Sequence, residues 1–467
     1  MTETPELQRE NENGSLPGPG VRWLWAIIVA YLLLAGAAAW MMPLTHNDPR
    51  WPEQTRQKFI PPDEEAHIGY IQYLIDHRRL PVFEDPDANY EAHQPPVFYL
   101  SCIPAFLAGR AVGELVTPSE TLMSAVFFVR LWCVLIGAGV IYAVYLLGLY
   151  LFPKSHRLAL AAAAFAALLP MHWVNVAGVT NDGLCELMAT VALIAACSLS
   201  QKPTARKAIT LGLLIGVGVL VKSTMVIMFA VAVFAIGMAK IEDDGREKLW
   251  TMAKLLGTVC GIAILVCGWW LLRNQLLYGD PLVQKAFVEL FSQDRATPQW
   301  FFDRGLAPSG YLMLVVVSTI FSYWGVFGQA IVYMPAWYYL IGFALWLPMF
   351  VGLLKVWWQG RKQEDTTLSA PWVLSAVTVL LAGFVLLRFN MSFFQAQARY
   401  LFVAIGPIAG VFVAGWWQML PGPREQRKRY WRTVMWVIFV CLGVMALVAL
   451  WNLQPGSPIR FSPITGM

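Results

Sequence analysis

The chain has 467 residues, of which 58% are hydrophobic and only 13% are charged. Soluble domains average about half apolar and a quarter charged residues, so this composition excludes an ordinary soluble protein. Apolar runs of about 20 residues, enough for a helix to cross a bilayer, recur along most of the chain. We therefore predict an all-α polytopic membrane protein. The net charge of +5 comes mostly from short loops between these runs, so it does not indicate nucleic-acid binding.

Nine clear membrane spans follow one another along the sequence. They cover residues 22–42, 122–151, 158–176, 183–200, 249–272, 337–358, 370–389, 400–419 and 432–451. The apolar stretch 207–239 is too long for one span and is interrupted at Lys222, so we interpret it as a hairpin of two short helices. The prediction is about eleven helices in one transmembrane domain over residues 21–452. Residues 1–20 form a flexible cytoplasmic tail and residues 453–467 a short outer tail.

The distribution of Lys and Arg orients these spans, because short loops rich in these residues face the cytoplasm. The basic loops lie at residues 154–157, 201–207, 240–248, 359–365 and 421–432. Counting spans from these loops places the N-terminus in the cytoplasm and the C-terminus outside. The outer side then receives two long segments, 43–121 and 273–336. In a bacterium this membrane is the inner membrane.

Two apolar segments do not fit this alternation as full spans. Residues 97–113 contain Pro104, Gly109 and Arg110, and counting them as a span would put the loop at 154–157 outside. We interpret them as a helix at the outer interface. Residues 310–335 receive the same interpretation, with a re-entrant segment as the alternative, because both of their flanks must lie outside.

Ionisable residues near membrane depth are costly, and they are candidates for function. Under this topology several of them collect on the outer side, at the ends of spans that are distant in sequence. A membrane enzyme needs such an arrangement, with one polar cavity at one interface. The residues are Asp63, His67, His93, Asp182, Lys222, Arg273 and Arg399.

The segment after the first span predicts a short amphipathic helix that begins at Asp63. At about 100° per residue, Asp63 and His67 fall on one face, so the acidic start can point at a cavity. The alternative is that Asp63 only caps the helix and His67 lies on the surface. His93 precedes two prolines, which force an extended chain there, and a structural role for it stays open.

Each remaining candidate also has a structural alternative. Asn181 and Asp182 occupy an outer turn, where Asp182 could simply cap the next helix. Lys222 lies at the apex of a short hairpin, where it could meet an anionic head group or snorkel to the interface. Arg399 and Tyr400 precede a span, and the planar fork of an arginine matches phosphate oxygens, although an interfacial anchor is the alternative.

Taken in order, these motifs resemble the GT-C class of polytopic membrane glycosyltransferases, which includes the aminoarabinose and protein O-mannosyl transferases. The resemblance covers most of residues 20–420. It rests on the motifs DE-x-x-H (63–67), HQPP (93–96), TND (180–182), RN-x-x-x-YGDP (273–281) and QARY (397–400). The sequence ends about 15 residues after the last predicted span, without the soluble domain of the larger relatives, so the acceptor is left open.

The resemblance implies transfer of a sugar from a polyprenyl-phosphate carrier to a glycan, lipid or protein acceptor on the outer side of the membrane. Asp63, with Glu64 as the alternative, matches the catalytic acidic position, and Asp182 matches the second one. Basic residues match positions near the carrier phosphate, and four others support the site. The basic residues are Lys222, Arg273 and Arg399, and the supporting residues are His67, His93, Asn181 and Tyr400.

These residue types suit the implied reaction. A carboxylate takes the proton of the acceptor hydroxyl or amine, and cations stabilise the charge that develops on the leaving phosphate. One inverting displacement is expected, because acceptor and phosphate lie on opposite faces of the sugar. A divalent metal could share the role of the cations. Asp63, His67 and His93 could supply ligands, although their spacing matches no known metal signature.

Two other classes of function compete with the enzyme. A transporter or lipid-linked sugar flippase also uses buried charges and broken helices. The sequence shows no internal two-fold repeat of hydropathy, however, and its polar residues collect at one interface. A scaffold protein without chemistry would not need Asp63, Asp182 and Arg399 together.

Overall fold

The computed structural model describes residues 19–291, 296–328, 330–360 and 369–457. Short 3-10 turns lie at Tyr90–His93, Pro118–Glu120 and Ser223–Val226 in the first half. The helices of that half are α1 (Pro19–Met41), α2 (Glu53–Phe59), α3 (Glu64–His77), α4 (Val97–Val116), α5 (Thr121–Leu151), α6 (His156–Leu168), α7 (Pro170–Ala177), α8 (Asp182–Gln201), α9 (Ala205–Val221) and α10 (Ile227–Gly237).

The second half is also built of helices, with one small antiparallel ribbon, β1 (Val326–Phe327) and β2 (Val332–Tyr333). A 3-10 turn at Ala398–Ala404 leads into the penultimate helix. The helices are α11 (Gly245–Tyr278), α12 (Gln284–Phe291), α13 (Pro298–Phe302), α14 (Pro308–Gly325), α15 (Ala336–Gly360), α16 (Ala370–Asn390), α17 (Ile405–Met419) and α18 (Arg424–Asn452).

The prediction of an all-α polytopic membrane protein is confirmed. Among the described residues, nine helices are long and apolar enough to cross a membrane, and the bent pair α6 and α7 would make a tenth. The expected number was about eleven. It included α9 and α10, which at 17 and 11 residues are shorter than those nine, and it left out α4, which is one of them.

Helix α5 lies at the centre of the first half and packs against α1, α4, α6 and α8. Helix α6 fits between α1, α5 and α17 because its inward side chains are mostly alanines, and helices with small side chains can approach closely. In the second half, the backbones of α15 and α17 are in direct contact at Gly352 and Gly415. A Cβ atom added to Gly352 would lie 1.9 Å from the carbonyl oxygen of Gly415, so only glycine fits there.

Helix α4 runs back along the N-terminal part of α5. Its Ser101 Oγ accepts a hydrogen bond from Trp132 Nε1 at 3.2 Å, and its Gly113 packs on Thr121. Arg130 of α5 reaches the carbonyl of Pro43, just after the end of α1. The packed helices α4 and α5 therefore lie next to the end of α1. The interpretation of α4 as an interfacial helix stays a prediction, and so does that of residues 310–335.

Two interruptions in the helices bring polar groups toward the site. The predicted interruption at Lys222 is confirmed, since α9 ends at Val221 and Lys222 has extended backbone angles before the 3-10 turn, while the hairpin arrangement of α9 and α10 stays a prediction. The predicted span 158–176 is instead bent by 59° between α6 and α7, where Pro170 begins the second helix. The tail at 1–18, most of the basic loop at 359–365 and residues 458–467 lie outside the described residues.

Candidate active site

Four of the predicted residues, from four distant segments, meet at the N-terminal ends of α3 and α8. Arg399 Nη2 donates to Asp63 Oδ2 at 2.9 Å, and its Nη1 lies 3.9 Å from Asp182 Oδ2. Lys222 Nζ forms an ion pair with Asp182 Oδ1. The guanidinium therefore connects two acidic groups that the sequence separates by several helices. We call Asp63, Asp182, Lys222 and Arg399 the charged cluster.

Asp63 precedes α3 with left-handed backbone angles, φ 63° and ψ 0°. For a residue other than glycine this conformation costs of order 1–3 kcal/mol, and such strain collects at functional sites. The side chain makes no capping hydrogen bond to its own helix. It instead contacts Arg399 and accepts a hydrogen bond from Tyr90 Oη at 3.2 Å, while 26% of it stays exposed. The side chain of Asp63 therefore does not act as a helix cap, and it is partly accessible to solvent.

The neighbouring Glu64 points away from the charged cluster. Arg130 Nε and Nη2 bind its two carboxylate oxygens at 2.8 and 2.5 Å, and both side chains are buried. The other donors of Arg130 bind the carbonyls at the end of α1. Glu64 Oε1 also accepts the backbone N–H of Val179 at 2.7 Å. This contact joins the start of α3 to the turn that precedes Asp182.

That turn is held from several sides. The backbone N–H of Asp182 donates to Thr180 Oγ1 at 3.3 Å, and Asn181 Nδ2 donates to Gln94 Oε1 at 3.1 Å. Asn175 Nδ2 lies 3.4 Å from Asp182 Oδ2. Asp182 begins α8, where the helix dipole favours a negative charge. The helix dipole and the two cationic neighbours, Lys222 and Arg399, therefore both favour the ionised form of Asp182.

The two predicted histidines are bound to neighbouring protein groups. His67 is buried, and its Nδ1 lies 2.8 Å from Tyr99 Oη. Burial lowers the pKa of His67, so it is neutral at pH 7. His93 Nδ1 donates to the carbonyl of Tyr90 at 2.8 Å. Within the described residues, no three His, Cys, Asp or Glu side chains are grouped so that they could hold a metal ion.

Arg273 and Tyr400 differ in their distance from the charged cluster. Tyr400 is close, since its hydroxyl accepts from Arg399 Nη2 at 3.3 Å and donates to Gln395 Oε1 at 2.7 Å. Arg273 donates instead to the carbonyl of Pro81 at 2.7 Å and lies 4.8 Å from the ring of Trp270. Its described contacts therefore connect α11 to the segment between α3 and α4 and do not include the cluster.

Comparisons with known proteins agree with this architecture. A family model described as dolichyl-phosphate-mannose-protein mannosyltransferase matches residues 120–270, about a third of the chain. The archaeal oligosaccharyltransferase AglB from Archaeoglobus fulgidus, solved with an inhibitory peptide and a dolichol-phosphate, superposes with a TM-score of 0.52 at 14% identity. ArnT from Cupriavidus metallidurans, bound to undecaprenyl phosphate, superposes with a TM-score of 0.51 at 13% identity. The chain has the GT-C fold.

These similarities extend over nearly the whole chain. The AglB superposition covers 93% of this chain and 56% of AglB, so the chain spans little more than half of that protein. The ArnT superposition covers 94% of this chain and 76% of ArnT. A search of the curated proteins finds no matching sequence. The GT-C resemblance inferred from the motifs is therefore confirmed at the level of the fold.

In this GT-C fold three members of the charged cluster, Asp182, Lys222 and Arg399, line a narrow cleft of about 30 Å³. Its lining combines charged and polar groups with apolar residues of α10 and α16. The lining residues are Asp182, Cys185, Glu186, Lys222, Thr224, Ile227, Ala382, Val385, Arg399, Tyr400 and Val403. A lining that contains both charged and apolar groups suits an amphipathic ligand.

Sequence reasoning missed several buried polar residues in the first half of the chain, one of which, Glu186, lines the cleft. Arg130, His172 and Glu186 lie inside apolar runs that were counted as plain spans, and all three are almost completely buried. The sequence could have revealed them, because an ionisable residue within a membrane span is a candidate for function wherever it occurs. Glu91 was also missed. Burial raises the pKa of its carboxyl group, and the nearby Asp63 charge adds to this while His67 opposes it.

Proposed function

We propose that this protein is a membrane glycosyltransferase that moves a sugar from a polyprenyl-phosphate carrier to an acceptor. The observation that carries the proposal is the Arg399 guanidinium, which contacts Asp63 and lies near Asp182 beside Lys222. This arrangement puts the partly exposed carboxylate of Asp63 against Arg399, one of the two cations that line the cleft. The GT-C fold and the matching mannosyltransferase family model support the same reaction class.

In this proposal Asp63 is the general base. It is the more exposed carboxylate of the cluster, so an acceptor hydroxyl or amine can reach it. Deprotonating the acceptor as it attacks the sugar contributes typically 10²–10⁴-fold to the rate. Asp182 has another role, since it is buried and paired with Lys222. It holds that lysine in place, and Glu64 and Arg130 act behind the site as positioning residues.

Arg399 and Lys222 bind the carrier phosphate in this proposal. Both line the cleft, and Arg399 Nε is buried without a hydrogen-bond partner among the described residues. A donor left in this state favours an incoming acceptor group such as a phosphate oxygen. Tyr400 supports the guanidinium through its hydroxyl. Arg273 keeps the outer segment in place and so shapes the entrance of the cleft.

The reaction side and stereochemistry are also part of the proposal. The basic loops support a cluster on the outer face, with the N-terminus in the cytoplasm and the C-terminus outside. A lipid-borne donor and a water-soluble or lipid acceptor can meet there. We propose one inverting displacement, in which the acceptor attacks the sugar from the face opposite the phosphate. The acceptor is a glycan, a lipid or a protein.

The test is release of the carrier phosphate by purified protein supplied with polyprenyl-phosphate sugars and candidate acceptors. We expect the wild type to transfer sugar and Asp63→Asn to lose at least about 100-fold in turnover. The matched control is Asp76→Asn, an exposed carboxylate on the same helix, which should keep full activity. Equal turnover in wild type and Asp63→Asn would remove Asp63 from the mechanism. Lipid translocation without sugar transfer would instead favour a flippase.

A further inference from the structure

Two polar pairs join α7 and α8 like the rungs of a ladder. The upper rung is the contact of Asn175 with Asp182 in the charged cluster. The lower rung lies one helical turn deeper, where His172 Nε2 is 2.9 Å from Glu186 Oε2. Both side chains of the lower rung are at most 2% exposed. None of the roles described so far uses this buried pair.

The hydrogen bonds of His172 fix how many protons the lower rung holds. Pro170 has no N–H, so the carbonyl of Ala166 lacks its usual helical donor. His172 Nδ1 lies 3.0 Å from that carbonyl oxygen, which can only accept, so Nδ1 carries a hydrogen. The contact between Nε2 and Glu186 Oε2 then contains one proton. The pair as a whole is neutral, and only Glu186 Oε1 can accept another proton.

Glu186 Oε1 is buried without a hydrogen-bond partner among the described residues, and Glu186 lines the cleft. A buried oxygen with an unused lone pair is costly, so its retention calls for an explanation. Titratable groups from every neighbouring segment lie around it. They are Tyr31, His172, Asp182, Cys185, Lys222, Arg399 and Tyr400.

The charges of the cleft balance before any anion enters. Asp63 and Asp182 offset Lys222 and Arg399, and the lower rung is neutral. A phosphodiester brings one further negative charge into a site of low dielectric constant, where unbalanced charge is expensive. As a carboxylate, Glu186 would repel that anion. With a proton on Oε1 it would balance the charge and could donate a hydrogen bond into the cleft.

We propose that Glu186 takes up one proton on Oε1 when a phosphodiester anion enters the cleft, so that donor binding and protonation are coupled. The proton comes from the solvent, one O–H bond forms, and His172 keeps its own proton. This inference rests on the proposed function and extends it from a pair of cations to a proton-linked binding step. It requires donor affinity to fall as the pH rises.

The experiment measures binding of farnesyl methyl phosphate, a phosphodiester whose single charge does not titrate near neutral pH. Calorimetry of the purified protein in two buffers with different ionisation enthalpies counts the protons taken up. We expect about one proton per bound lipid for the wild type above pH 7, and a loss of affinity of up to about tenfold per pH unit. Glu186→Gln has no carboxylate oxygen to protonate, and its amide keeps His172 neutral, so it should bind the lipid more weakly than the protonated wild type, with no proton uptake and no pH dependence.

The isosteric change is expected to fold, because the amide that it introduces can donate to His172 Nε2. The matched control is Glu114→Gln, an exposed carboxylate outside the cleft, which should take up protons like the wild type. Binding by the wild type without proton uptake would overturn the inference, as would uptake that persists in Glu186→Gln or a folded wild type that does not bind the lipid. The wild-type measurement decides even if the variant is unstable. Sugar transfer and its loss in Asp63→Asn are measured separately, so either proposal can fail without the other.

Discussion

Replacing Arg130 by Met tests whether one buried ion pair positions both acidic segments of the site. All five N–H donors of Arg130 are used, two on Glu64 and three on the carbonyls of Ala39, Met42 and Pro43. The change leaves Glu64 buried without its counter-ion. Breaking a buried pair in this way costs about 3–5 kcal/mol in the free energy of unfolding.

The same substitution should reduce turnover. Glu64 follows Asp63 directly, and it holds the backbone of Val179 just before Asp182. Losing the arginine therefore frees both acidic groups to move, and a misplacement of about 1 Å at a reacting centre can cost 100-fold in rate. Because the defect lies in positioning, we expect turnover to fall while the apparent donor affinity changes little.

The assay is reversible unfolding in mixed micelles, combined with carrier release. The double variant Arg130→Met with Glu64→Gln removes both charges and should be about 2 kcal/mol more stable than the sum of the single changes predicts. The control is Arg110→Met, which breaks the exposed pair with Glu114 and should cost less than about 1 kcal/mol. A loss below about 1 kcal/mol in Arg130→Met, or strictly additive single changes, would refute the reasoning.

Three further predictions concern the phosphate, the first outer segment and the topology. Arg399→Ala should weaken apparent donor affinity at least tenfold and affect turnover less. The control Arg388→Ala, which changes an exposed arginine, should alter neither quantity. An unchanged donor KM in Arg399→Ala would contradict the phosphate role. Burial raises the pKa of the Glu91 carboxyl group, so the stability that the protonated group contributes below pH 4.5 is lost as the pH rises through the folded pKa. Glu91→Gln should therefore be more stable than the wild type at pH 7. The same difference in unfolding free energy between variant and wild type at pH 4 and at pH 7 would refute this. A cysteine at Leu107 in α4 should react with an impermeant maleimide from outside and one at Lys202 only from the cytoplasm, so cytoplasmic labelling at position 107 would overturn the orientation.

The helices and the four members of the charged cluster could be predicted from the sequence because both follow from simple rules. Long apolar runs specify spans, and basic loops alternate sides, so the polar ends of distant spans must share one face. The break at Lys222 was visible for the same reason, since a charge interrupts the apolar run. These inferences need only the order of residues along the chain, without knowledge of side-chain contacts.

The partners of each side chain could not be predicted in this way. Asp63 and Glu64 are adjacent in the sequence, yet one faces the cluster and the other a buried arginine, because the left-handed backbone at Asp63 turns them apart. Arg273 has the right residue type and position but reaches Pro81 instead. Arg130 and Glu186 were counted as parts of plain spans, because a single ionisable residue hardly changes the hydropathy of its window.

The shortness of helix α10, which follows Lys222 and a 3-10 turn, has a consequence for the surrounding bilayer. Helix α10 has 11 residues and is only about 17 Å long, well below the roughly 30 Å of hydrocarbon in a typical membrane. Such hydrophobic mismatch thins the nearby leaflet or draws head groups and water inward. Lys222 would then meet a lipid phosphate that has sunk below the ordinary surface. Membrane thickness would thus influence how readily a lipid-borne donor enters the cleft, and acyl-chain length becomes a variable that controls the proposed reaction.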